Sequence, residues 1–286
     1  MIDINHLHYI YQPGTPFESV ALNDINLHIE KNTFTGLIGH TGSGKSTLVQ
    51  HLNALIKPTS GQIVIDGVDI TKPNTDLKEV RRKVGLVFQY PEHQLFEDTI
   101  YKDIAFGPHN LGCSEEEIKE RVLEAADIVG LTSQMLEKSP FDVSGGQKRR
   151  AAIAGVLAMK PSVLVLDEPT AGLDPAGRDE ILDRICGLNK RFQMTVILVS
   201  HSMEDVAKVA DKIIVMNQGT VALHEDVDKV FAHADFLRSI GLNVPQITMV
   251  MQNLKKNGIN VNDTIHTVEA AKDAICRLLA KKVQEK

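Results

Sequence analysis

Positions 39 to 46 read GHTGSGKS and fit the pattern G-x-x-x-x-G-K-[ST]. Glycines let a backbone wrap a phosphate with its N–H groups turned inward. A lysine then reaches the terminal phosphates and a hydroxyl binds Mg²⁺. Here those roles fall to Lys45 and Ser46. The flanks support the reading: Thr33 to Ile38 is a short apolar strand, and Ser46 to Ile56 carries Leu48, Leu52, Leu55 and Ile56 on one helical face until Lys57 and Pro58 stop it.

A second candidate lies at VLVLDE, Val163 to Glu168, a buried-strand run ending in two acids. In a parallel sheet the carboxyl end of a strand faces the ligand crevice, so Asp167 can steer Mg²⁺ while Glu168 reaches an attacking water. Taken alone, such a strand end is commonplace; beside a phosphate loop it becomes chemistry. Gln89, Asp174 and His201 follow strand or turn signals in the same manner, after KVGLVF, TAGL and TVILVS. Singly, each has a plain role as well: a polar strand end, an N-cap before Pro175, and a hydrogen-bonded strand-end histidine.

The stretch VSGGQKRRAAIAGVLA, Val143 to Ala158, is the least ordinary. Ser144 and Gln147 have the spacing of a capping box, which starts a helix but does not require Gly145 and Gly146 between them. Paired glycines leave backbone amides open to close approach, and a helix N-terminus favours negative charge by about 0.3 to 2 kcal/mol. With Lys148, Arg149 and Arg150 alongside, the stretch reads as a second anion site.

These residues need a frame. Ile25 to Ile29 alternates, Ile63 to Ile70 folds back around Asp66 and Gly67, and Val84 to Gln89 is a further strand. A helical stretch, interrupted by turns, runs from about Ile100 to Met159. Strands return at Val163 to Leu166 and Thr195 to Ser200, and in a hairpin of Lys212 to Met216 with Thr220 to His224. The pattern predicts a parallel α/β sheet with an inserted helical block. Near the end, Ile247, Val250, Met251 and Leu254, then Val268, Ala271, Ile275 and Leu278, fall at helical spacing and predict a small appended packing or dimerisation element.

Composition narrows the class. The 286 residues carry a formal charge of -6, with 24% charged and 43% hydrophobic residues, an ordinary balance that argues against a general nucleic-acid binder. Apolar runs such as Ala151 to Met159 are too short to span a bilayer, and MIDINHLHYI lacks the basic start and apolar core of a signal peptide. Cys113, Cys186 and Cys276 are scattered and read as free thiols.

Taken in order, GHTGSGKS, FQ at 88 to 89, VSGGQ, VLVLDE, AGLD and VSH resemble the ATPase subunits of ABC transporters across residues 1 to about 230. The resemblance implies an α/β P-loop NTPase fold of the RecA-like kind: a parallel-sheet core, an antiparallel β subdomain, and an α-helical subdomain at about 92–160. A C-terminal accessory domain at 231–286 follows. It also implies ATP and Mg²⁺ as ligands and ATP hydrolysis as the reaction. ATP contacts fall on Gly39, His40, Thr41, Gly42, Ser43, Gly44, Lys45, Ser46, Thr47 and Gln89, and Mg²⁺ contacts on Ser46, Gln89 and Asp167. Glu168 becomes the general base and His201 the γ-phosphate contact. Two subunits stack head to tail, so that Ser144, Gly145, Gly146, Gln147 and Asp174 act on the partner's nucleotide. An adenine-stacking aromatic is expected upstream, and Tyr11 is favoured over Tyr9 because it lies nearer the following loop.

A finer resemblance, carried by QYPEHQLFEDTIYKDIAFGPHNLG and SGGQKRRAAIAGVLAMKPSVLVLDEPTAGLDP, is to the ATPases of energy-coupling factor transporters, the group that also serves cobalt and nickel uptake. Its vitamin-uptake branch implies a heteromeric ATPase pair, a transmembrane coupling protein and an exchangeable membrane substrate-binding component. The chain itself would then sit on the cytoplasmic face of a bacterial membrane without spanning it. A soluble ABC ATPase of DNA repair or translation is disfavoured, because the block between Gln89 and Asp167 leaves no room for a long coiled coil.

Overall fold

The computed structural model describes residues 1–284. β1 (Ile2–Tyr11) and β2 (Ser19–Ile29) form an antiparallel pair; β3 (Phe34–Gly39) then leads through the phosphate loop into α1 (Lys45–Leu52). β4 (Ser60–Ile65), β5 (Val68–Asp69), α2 (Leu77–Lys83) and β6 (Val84–Val87) precede the helical block of α3 (Ile100–Asn110), α4 (Glu115–Val129), α5 (Ser133–Leu136) and α6 (Gly145–Leu157). The chain returns through β7 (Val163–Asp167), α7 (Pro175–Phe192), β8 (Thr195–Val199), α8 (Met203–Val209) and the hairpin β9 (Lys212–Asn217) and β10 (Thr220–Asp226). Four helices follow: α9 (Val227–Ala232), α10 (Ala234–Ser239), α11 (Gln246–Lys256) and α12 (Val268–Gln284).

Two sheets result. One is antiparallel in the order β2-β1-β4-β5; the other runs β10-β9-β3-β8-β7-β6, parallel except for its β9–β10 edge. β3 and β8 are buried along their whole length, as the unbroken apolar runs of a covered parallel sheet require. α1 sits in a core shared by both sheets, with Leu48, Val49 and Leu52 against Ile2, Ile25 and Ile63. The helical block packs on a second core with Leu164, Leu166 and Leu198 of the parallel sheet, and this core continues to Val244. A third, small cluster of Met251, Val261 and Ala271 lies between the last two helices.

Two local differences from the sequence reading have tertiary causes. α1 stops at Leu52 rather than Ile56, because Asn53 turns its amide onto the Val84 carbonyl at 2.6 Å and Ala54 takes a left-handed φ of 51°. α2 was not anticipated; Asp76 caps it by accepting from the N–H groups of Lys78 and Glu79, but with seven residues and Val80 alone buried it has too little periodicity to read. Among the described residues no helix is long and apolar enough to cross a membrane.

Candidate functional site

Register sets the site. Val199 at the end of β8 pairs with Leu37 of β3 on one side and Asp167 of β7 on the other, so the loops leaving all three strands open on one edge. Ligands of open α/β sheets bind at that edge. A cavity of about 400 Å³ lies there, lined by Tyr11, Thr41, Gly42, Gly44, Lys45, Ser46, Thr47, Gln89, Asp167, Glu168 and His201, with Ser19, Val20 and Ala21 of β2 and Val199 completing the wall. Gly39, His40 and Ser43 stand behind it: His40 contacts the Asn217 side chain at 3.2 Å, and Ser43 is fully buried.

The loop is shaped by close contacts. Gly44 has a φ of 102°, and a Cβ there would come within 2.7 Å of the Ala21 carbonyl oxygen, so glycine is required twice over. No side chain caps α1, which leaves its first N–H groups available to an anion. Lys45 is buried and donates to the carbonyls of Gly39 at 2.7 Å and His40 at 3.1 Å. Burial pushes its pKa below the usual lysine value, against the pull of Glu168 and Asp167.

Glu168 takes a left-handed φ of 52° while its N–H donates to the Val199 carbonyl at 3.0 Å. For a residue with a side chain this costs on the order of 1 to 3 kcal/mol and persists only where the surroundings impose it. Its Oε1 is buried without a hydrogen-bond partner. His201 Nε2 stands 3.6 Å away, beyond hydrogen-bond reach. Burial, followed by the charge of Asp167, raises the Glu168 pKa from 4.5 to about 7. Asp167 is raised as well, by burial and against Lys45, whereas burial and Lys45 lower His201. The imidazole is therefore neutral at pH 7, and its contact with Glu168 is not an ion pair there. A carboxyl that titrates near neutrality, with an oxygen uncommitted, is suited to taking a proton from water. Ser46, Gln89 and Asp167 offer the same cavity hard oxygen donors, the set that fits Mg²⁺.

The two tyrosines part company. Tyr9 packs edge-on against Tyr11 and His51, both at 4.8 Å, and does not line the cavity. Tyr11 is 40% exposed on the cavity wall, with its hydroxyl 3.2 Å from Thr47 Oγ1.

Ser144, Gly145, Gly146, Gln147 and Asp174 do not line this cavity. Ser144 and Gln147 form a reciprocal capping box, Ser144 N–H donating to Gln147 Oε1 at 2.9 Å and Gln147 N–H to Ser144 Oγ at 3.4 Å. A Cβ at Gly145 or Gly146 would meet nothing within 4 Å, so no contact inside the chain calls for glycine. Asp174 caps α7 by accepting from Gly177 N–H at 2.8 Å. The three cations separate: Arg150 pairs with Glu180 at 3.2 Å, and Arg149 is buried on Glu92 at 2.8 Å. Lys148 alone remains at the helix end, over the Phe141 ring. Glu92 and Arg149 had no separate signal, since a run of like charges reads as a solvated face.

Comparison with known proteins gives this geometry relatives. Residues 22–171 match the ABC transporter family. The chain is 58% identical over 279 residues to the energy-coupling factor transporter ATP-binding protein EcfA2 of Clostridium acetobutylicum, covering 97% of this chain and 98% of the relative. Its fold resembles cbiO1 of Clostridium perfringens, described as part of the ABC transporter complex cbiONQ, at a TM-score of 0.75 and 38% identity over 88% of this chain and 98% of that one. It also resembles the cassette MJ0796 in a dimeric post-hydrolysis state bound to ADP and Pi, at a TM-score of 0.71 and 30% identity over 79% and 98%.

Glu168 has a measurable consequence before any ligand is added. The folded state holds its proton more tightly than the unfolded chain, so stability falls as pH rises from about 4.5 to about 7 and the loss is complete above that. Glu168→Gln removes a cost of up to about 3 kcal/mol. In chelator, without nucleotide, the variant is expected to melt a few degrees higher than the unmodified chain at pH 8 and to match it at pH 5; equal melting at both values would contradict the raised pKa.

Proposed function

The chain belongs to the ABC transporter family, among the energy-coupling factor transporter ATP-binding proteins, and as such is the subunit that binds and hydrolyses ATP to energise an importer of that type; on that premise we propose how its residues divide the work. The observation that carries the proposal is the single cavity onto which Lys45, Gln89, Asp167, Glu168 and His201 converge from the carboxyl ends of four different strands and the segments just beyond them.

The phosphates of ATP lie on the open start of α1, between the N–H groups of residues 39 to 47 and Lys45, which exchanges its loop carbonyls for phosphate oxygens. Tyr11 stacks on the adenine. Mg²⁺, held by Ser46 and Asp167 with Gln89, supplies charge neutralisation when bound. Glu168 takes the proton of the attacking water, and His201 donates to the γ-phosphate from its neutral ring. Ser144, Gly145, Gly146, Gln147 and Asp174 serve the nucleotide of a second cassette stacked head to tail; the open space around both glycines supports this, because it gives their lack of side chains a use only outside the chain.

Two cassettes then close over ATP and separate once the γ-phosphate has gone. The second cassette is a related but different chain, and 231–286 helps the pair associate. The complex sits on the cytoplasmic face of a bacterial membrane beside a transmembrane coupling protein and a membrane substrate-binding component, and imports vitamins or other micronutrients. A groove of about 400 Å³ between α2, α3 and α6 offers the coupling protein a seat. On its rim Phe96 and Phe106 meet edge-on at 5.0 Å, exposed by 63% and 45%, in the segment that follows Gln89.

Three outcomes test the scheme. Glu168→Gln should bind ATP normally, accumulate a closed dimer and lose about 10² to 10⁴-fold in turnover; near-normal turnover would remove Glu168 from the role of base. Ser144→Arg should leave nucleotide binding by the lone chain intact and abolish hydrolysis at the partner's phosphate loop. Finally, Phe106→Asp should keep ATP binding but lose the membrane proteins that copurify with the chain, and their retention would move the docking seat elsewhere.

A further inference from the structure

The run after Gln89 contains a residue that the ATP site does not use. Glu92 lies in a short 3₁₀ turn, Pro91–Gln94, entered through a left-handed Tyr90. It meets Arg149 of α6 in a two-pronged pair: Nε donates to Oε2 at 3.1 Å and Nη2 to Oε1 at 2.8 Å. The Arg149 side chain is 4% exposed, and its guanidinium also lies over the Tyr90 ring. Its remaining Nη1 donates to the carbonyls of Pro169, at 3.3 Å, and Ala171, both in the loop between Glu168 and Asp174. Although burial alone would raise the Glu92 carboxyl, the bonds and charge of Arg149 outweigh it and hold the pKa below the usual value, so the pair is ionised.

We infer that Arg149 and Glu92 are positioning residues that fasten the loop between Glu168 and Asp174, and the segment after Gln89, to the first turns of α6. The half-site this chain lends to its partner and the hydrolytic site it keeps then move as one body. Three observations lead there. A guanidinium is the side chain whose planar fork can serve a carboxylate and two carbonyls at once. The three elements it joins each carry site residues: Ser144 on α6, Gln89 before the turn, Glu168 and Asp174 around the loop. The same loop has a separate anchor on the sheet side, where buried Thr170 donates to Asp205 of α8 at 2.8 Å. Removing Arg149 therefore cuts the link to the helical block and leaves the loop's other attachment in place. An apolar contact could hold the block as firmly, and a buried ion pair adds little net stability. What the pair adds is a fixed direction. The inference rests on the proposed division of roles between the two half-sites.

The test uses the complex coexpressed with its neighbouring genes, unmodified and with Arg149→Lys, Glu92→Gln and both. Two readouts are taken: hydrolysis rate against ATP concentration, and deuterium uptake of nucleotide-free chain in peptides covering 169–174 and α4. For Arg149→Lys the expected result is a KM within about twofold, a kcat lower by about tenfold or more, and faster exchange at 169–174 with α4 unchanged. The double variant should be no worse than Arg149→Lys, because the residues act as a unit. Unchanged kcat, losses that multiply, or exchange that rises equally in α4 would overturn the inference. Should Arg149→Lys fold poorly, the isosteric Glu92→Gln carries both readouts. If the unmodified complex hydrolyses no ATP, the assigned function fails, and the exchange comparison still decides whether the pair holds the loop.

Discussion

One ammonium and two carboxylates share a poorly solvated sheet edge, and most of the structure follows from keeping them there. Lys45 spends its N–H groups on the carbonyls of Gly39 and His40, so Asp167 and Glu168 feel it only through space. Burial disfavours the ionised form of Glu168 and the charge of Asp167 adds to it, which together push its pKa up to about 7. Any slip of β7 against β8 would move Asp167 from its place opposite Val199 and turn the acids to the other face of the sheet. The burial of β3 and β8 along their whole length, and of β7 up to Asp167, is thus a condition of the chemistry as well as of the fold.

The starts of α1 and α6 are built differently. At α1 the loop curls back so that a glycine, Gly44, precedes the helix and the cavity wall closes around it. At α6 a capping box fixes the end, while the two glycines inside it face empty space. The first start is enclosed by its own chain. The second is finished locally and left open outward, the arrangement expected of a surface completed by another subunit.

Much of this was legible because it depends on local rules. Strand-loop-helix order, the capping box and the apolar run before Asp167 are written within a few residues each; the cavity gathers Lys45, Ser46, Asp167 and Glu168 from the first and last of these, while Ser144 and Gln147 lie outside it. What was not legible depends on contacts distant in sequence. The end of α1 is set by Asn53 reaching Val84, and α2 is too short to show a period. Arg149 read as one of three equivalent cations, yet one position along a helix turns a side chain by about 100°. That rotation takes Arg149 inward to Glu92, sends Arg150 to Glu180, and leaves Lys148 beside Phe141. Spacing along the helix could have separated them; the identity of the partners could not have been read.

The same rotation explains how a helix that opens on two glycines stays aimed. Glycine costs roughly 1 kcal/mol more than alanine in a helix interior, chiefly through backbone freedom. An end built on two of them would wander unless held. Ser144 and Gln147 hold it along its axis, Arg149 ties the next turn to the loop beyond Glu168, and Arg150 ties it to α7. The restraints come from three directions and none covers the glycines. The open space at Gly145 and Gly146 is left uncovered, and the holding contacts come from the residues on either side.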